Sequence, residues 1–121
     1  MFSDPRSAGV AQLVIRTYRD RGFYRLPAYC IMPDHIHLLV ILLSPHRHLS
    51  RVVSTLKNAI NVALREDGKR IWWQWGYYDR VMRDSESTED VASYILMNPV
   101  RKGLVDDYRR WPYGGVVDRW Y

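Results

Sequence analysis

"MPDHIHLLV", residues 32–40, places two histidines on either side of one apolar residue at the mouth of an apolar run. Side chains alternate along a β-strand, so residues two apart share a face. Read as a strand from His35 to Leu43, the segment aims His35 and His37 the same way, close enough to share one metal ion. Neutral imidazole is the commonest metal ligand in proteins. The same spacing also suits two ordinary polar residues at a sheet end. Pro33-Asp34 makes a turn just before the pair. Upstream, Phe23 to Met32 is rich in aromatic and branched residues and reads as another strand, with Pro27 at a bulge or edge. Two strands this close form an antiparallel hairpin, and the histidines are expected on a central strand.

Working outward, Ser3-Asp4-Pro5 starts a helix with a cap followed by proline. Val10, Leu13, Val14 and Tyr18 repeat at helical spacing, and Gly22 ends the run. Ser44 to His48 is a loop, so His46 and His48 read as surface residues despite their own spacing of two. From Ser50, the positions Val52, Val53, Leu56, Ala59, Ile60, Ala63 and Leu64 form an amphipathic helix, broken at Asp67-Gly68. Ile71 to Met82 is strand-like. Ser87 with Asp90 resembles a capping box for a helix carrying Val91, Tyr94 and Ile95. That helix is expected to end near Asn98, because Pro99 disfavours helical geometry in the residue before it. Residues 103–121 look loop-rich. The order helix, strand, strand, helix, strand, helix predicts an α+β fold, an antiparallel sheet with helices packed on it.

The chain has 121 residues, suited to a single domain over residues 1–121. A hydrophobic content of 47% is globular rather than disordered. One cysteine, Cys30, excludes an internal disulfide and suits a reducing cytoplasm. No apolar run is long enough to span a bilayer, and no secretory leader is read. The net charge of +5 favours a polyanion partner, nucleic acid first. Five tryptophans and nine tyrosines add aromatic faces, which either fill the core or stack on unpaired bases.

"AYCIMPDHIHLLV", followed by "GYYDRV" and "YILMNPVRKGLV", resembles the single-tyrosine HUH transposases. More narrowly, it is similar to the REP-associated tyrosine transposases, relatives of the insertion sequence 200 group. The histidine pair is His35-Ile36-His37, and the second signature is Tyr94 with Asn98-Pro99-Val100. The resemblance implies a ferredoxin-like, RRM-like fold and a metal-dependent enzyme that cleaves and rejoins single-stranded DNA through a 5′-phosphotyrosine. Tyr94 would be the nucleophile, and His35 and His37 would hold Mg²⁺ or Mn²⁺, the imidazoles leaning to Mn²⁺. In those relatives a glutamine four after the tyrosine reaches the metal. Asn98 falls in that place, as a third ligand or as a helix cap before Pro99. Tyr94 also fits a core position, and Tyr77 and Tyr78 compete for its role. Arg51, Lys57, Arg80, Arg83, Arg101 and Lys102 are candidate contacts to single-stranded or hairpin DNA.

Family members usually carry a strand before the first helix, whereas this sequence begins at that helix. The sheet is therefore expected to lack one strand and to be left open or completed in a homodimer. An inactive protein that binds single-stranded nucleic acid is the competing reading. A small metal-binding regulator is a third.

Overall fold

A computed structural model describes residues 2, 4–43, 48–65 and 87–119. The expected strand over residues 71–82 lies outside them, as do His46, Tyr77, Tyr78, Arg80 and Arg83.

Helix α1 (Pro5–Asp20) begins where Asp4 caps it. One carboxylate oxygen of Asp4 accepts from the Ser7 backbone N–H at 2.9 Å, and the other accepts from the Ser7 hydroxyl at 2.7 Å. Proline at the first helical position forfeits no helical bond, since that N–H has no partner in any helix. Gly22 closes the helix at φ 82°, a left-handed conformation that costs glycine little. The buried face is Ala8, Ala11 and Ile15, with Val10, Val14 and Tyr18 on its flank. Leu13, expected on that face, is 67% exposed, because the small alanines set the side on which the helix approaches the sheet.

Strands β1 (Tyr24–Ile31) and β2 (Ile36–Leu42) form the expected antiparallel hairpin. The Met32 N–H donates to the His35 carbonyl at 2.8 Å across Pro33-Asp34. The register runs Ile31↔Ile36, Cys30↔His37, Tyr29↔Leu38 and Ala28↔Leu39, then slips between Ala28 and Arg25. This is the bulge read from Pro27, and it has a consequence for packing. Alternation would put Leu26 and Tyr29 on opposite faces, but the extra residue returns both to one face. Tyr24, Leu26, Tyr29 and Ile31 thus share a core with α1 and with α2 (Leu49–Arg65), which contributes Val52, Leu56, Ile60 and Leu64.

The other face shows Ala28 and Cys30 of β1 and Met32 just beyond its end, packed with Ala92, Ile95 and Leu96 of α3 (Thr88–Leu96). Ser87 caps α3, its hydroxyl accepting from the Asp90 N–H at 3.2 Å. Helices therefore pack on both sides of the sheet.

Helix α3 ends at Leu96 with its cap at Met97, near Asn98 as expected, but a single turn, α4 (Asn98–Arg101), restarts at once with Pro99 in its N-terminal turn, where a missing N–H is tolerated. The tail is loop-rich as expected, with one short strand, Gly114–Gly115, forming β3 against β1 at Tyr29↔Gly115 and Cys30↔Gly114. A 3-10 turn at Tyr108–Arg110 precedes it. Among the described residues the strand order is β2-β1-β3, so β1 is paired on both sides there.

The tail is bonded to β1 along its length. The indole N–H of Trp111 donates to the Ile31 carbonyl at 3.1 Å, and the Ile31 N–H to the Tyr113 carbonyl at 2.8 Å. At the bulge, Asp118 accepts from the Leu26 N–H at 2.8 Å, while its own N–H donates to the Leu26 carbonyl at 3.0 Å. A bulge leaves backbone groups unpaired, and here the tail supplies their partners.

Candidate active site

His35 closes the hairpin turn and His37 is the second residue of β2. His37 has the parity of Leu39, which packs with α3, so the pair looks out on the α3 side of the sheet. Their Nε2 atoms are 2.8 Å apart, with the rings nearly perpendicular at 86°. The shared direction expected of residues two apart is present, although His35 precedes the strand.

The other ring nitrogen of His35 fixes its orientation. Nδ1 lies 2.5 Å from a carboxylate oxygen of Asp34. The hydrogen bond to His35 holds Asp34 below the usual carboxylate range, and the charge of Lys102 acts the same way. An ionised carboxylate can only accept, so Nδ1 of His35 is the donor. In the neutral ring the Nε2 lone pair is then left facing His37. An imidazole whose second nitrogen donates to a carboxylate is the arrangement metal-binding histidines commonly have. Burial lowers the pKa of His37, with the charges of His35 and Arg101 adding to the effect, which favours the neutral ring.

Asn98 joins this pair from α4. It is 5% exposed, and its Nδ2 lies 3.3 Å from Nε2 of His35. Amide oxygen and nitrogen exchange by rotating the side chain, so the same site can present Oδ1. Among the described residues no three His, Cys, Asp or Glu side chains gather as a metal cluster. The convergent set is instead two imidazoles and one amide. Cys30, directly opposite His37, is a buried free thiol whose pKa burial pushes up to about 11. It is correspondingly poor as a thiolate ligand.

Tyr94 is 61% exposed, which answers the core alternative. Ile95 takes the buried side of α3 instead. The guanidinium of Arg101 lies 4.0 Å from the centre of the Tyr94 ring.

The proposed basic contacts divide. Arg101 and Lys102 stand on the histidine side, where their charges act on His37 and Asp34. Arg51 and Lys57 are on α2, whose apolar side packs on the opposite face of the sheet. Amphipathic spacing shows which side of a helix is wet, but not which face of the sheet it covers. Arg80 and Arg83 fall outside the described residues. Asp34 escaped the sequence reading, and the signal for it was its place in the turn directly before His35.

An antiparallel sheet between helices, with a histidine pair joined by Asn98 and an exposed tyrosine on the helix before it, defines an α+β protein. The chain belongs to the transposase family described as IS200-like, whose model matches residues 2–98. It is 29% identical over 97 residues to a Haemophilus influenzae protein assigned as a REP-associated tyrosine transposase, covering 71% of this chain and 55% of that protein. It is 26% identical over 100 residues to the REP-associated tyrosine transposase of Escherichia coli, covering 83% and 58%. The chain thus spans little more than half the length of these relatives. The fold matches a solved REP-associated tyrosine transposase bound to a REP hairpin. That match has a TM-score of 0.73, 21% identity, and coverage of 87% of this chain and 62% of that one. Among the described residues no helix is long and apolar enough to cross a membrane.

Proposed function

We propose that this chain cuts and rejoins DNA strands through a phosphotyrosine on Tyr94. The observation that carries the reading is the convergence of His35 Nε2, His37 Nε2 and the Asn98 amide, with the exposed Tyr94 on the helix just before. The Nε2 atoms of His35 and His37 stand 2.8 Å apart with the Asn98 amide 3.3 Å from the first, so three nitrogen or oxygen donors meet at one point. Two imidazoles and one amide suit a divalent cation, with Asn98 turned to offer Oδ1, and such mixed ligands favour Mn²⁺ over Mg²⁺. Such an ion would polarise the scissile phosphate as a Lewis acid.

The residues supply the rest. The Tyr94 oxygen attacks phosphorus, the bond to the 3′ oxygen breaks, and the downstream fragment stays on the tyrosine through its 5′ phosphate. The departing 3′ oxygen takes up a proton, and the phenol loses one. An aryl phosphate keeps a good leaving group, so a second 3′-hydroxyl can displace Tyr94 and restore a phosphodiester. A water nucleophile would forfeit that second step. Lys102 borders the site as a cationic contact for the strand, and single-stranded or hairpin DNA is the proposed partner. The buried free thiol of Cys30 suits a cytoplasmic setting.

The test is an end-labelled single-stranded or hairpin oligonucleotide with Mn²⁺, resolved on denaturing gels. A covalent protein–DNA adduct, absent in Tyr94→Phe, is expected. Salt-sensitive binding with no adduct on any substrate would overturn the catalytic reading in favour of a binding protein.

A further inference from the structure

We propose that Arg101 is a positioning residue that holds the Tyr94 ring in register with the histidine cluster. This rests on the reading of Tyr94 as the nucleophile. Arg101 touches Tyr94 twice. Its guanidinium stacks over the ring at 4.0 Å, and its Nη2 donates to the Tyr94 carbonyl at 2.6 Å. The second contact has a local cause. The helical ladder breaks at Met97 and Pro99 has no N–H, so carbonyls at the end of α3 need other donors.

The other end of the same short turn is also anchored. Asn98 opens α4 and reaches His35 at 3.3 Å, and Arg101 closes it and holds Tyr94. Asn98 and Pro99 are buried, which fixes the turn against the sheet. One turn of helix therefore spaces the tyrosine from the histidines. Lysine cannot replace this function, since stacking and an in-plane hydrogen bond together need a planar cation.

The test compares Arg101→Lys with the unaltered protein, because lysine keeps the charge. The expected result is a split. Affinity for a single-stranded oligonucleotide stays near that of the parent, while adduct formation at saturating DNA slows about 2- to 30-fold, the rate equivalent of one cation–π contact. A second readout needs no activity. With 3-fluorotyrosine at position 94, the ¹⁹F resonance should shift and sharpen in Arg101→Lys without DNA, as the ring is released. An unmoved resonance overturns the proposal, whatever the rate does. So does an unchanged saturated rate with weakened binding, the pattern of a plain phosphate contact. If the unaltered protein forms no adduct at all, the proposed function fails, and the fluorine signal alone decides whether Arg101 holds the ring.

Discussion

Asp34 and His35, neighbours in the chain, are also partners: a carboxylate oxygen stands 2.5 Å from Nδ1 of the ring it precedes. The contact turns the lone pair of Nε2 toward His37 and Asn98. Its loss should therefore weaken metal binding without removing a ligand. Asp34→Ala is expected to lower Mn²⁺ affinity about 10- to 100-fold, the usual effect of deleting such an outer partner. Titration calorimetry or Mn²⁺ paramagnetic resonance measures it. Equal affinity in the variant would mean that His35 is not a ligand through Nε2.

Much of this site was legible because it depends on local geometry. Alternation along a strand requires a shared direction for His35 and His37, and the turn at Pro33-Asp34 fixes where the hairpin reverses. The Pro27 bulge was legible for the same reason. Position in the sheet was not. β3 is two glycines, with no apolar pattern to mark it, and it pairs with β1 across more than eighty residues of sequence. Among the described residues its arrival pairs β1 on both sides. The sorting of Arg101 and Lys102 from Arg51 and Lys57 depends likewise on which face each helix covers, which no single helix encodes.

Tyr94→Phe should abolish adduct formation and leave stability within about 0.5 kcal/mol, the ordinary range for an exposed substitution. The ring keeps its stack on Arg101, and the side chain is largely in solvent. Thermal melting and the adduct gel together check this. An adduct that persists in the variant would move the nucleophile to another tyrosine, with Tyr77 and Tyr78 the first to examine.

Asp118 ties the tail to the bulge and to α1, bonding the Leu26 N–H and pairing with Arg19. The side-chain bond from Arg19 is the main reason its pKa is held at about 2. An unfolded aspartate titrates near about 3.9. The folded value is the lower one, so the ionised side chain stabilises the fold above about pH 4, and this is lost as pH falls toward about 2. Asp118→Asn should cost about 1–2 kcal/mol at neutral pH, discounted because Arg19 is partly solvated. The gap between variant and parent should close as the pH drops through that window. Urea melts at several pH values measure it, and a gap constant down to pH 2 would dissociate the carboxylate from tail docking.

Gly114 and Gly115 should behave oppositely although they are neighbours in one strand. A Cβ at Gly114 would stand 3.1 Å from the Tyr29 carbonyl oxygen and 3.3 Å from Cδ1 of Trp111. Neither neighbour can yield easily, since the first is backbone of β1 and the second belongs to an indole bonded to Ile31. A Cβ at Gly115 meets nothing within 4 Å. Gly114→Ala is therefore expected to destabilise by about 1–3 kcal/mol, the range for forcing an added methyl into a packed site. Gly115→Ala should be near neutral. Displacing β3 would also disturb Trp111, which packs against the cluster that holds Cys30, so the thiol of Cys30 should react faster with a disulfide reagent in Gly114→Ala. Denaturant melts and thiol-reaction rates on the two variants check both effects. Equal stability of the pair would mean that β3 is not held against β1 in solution.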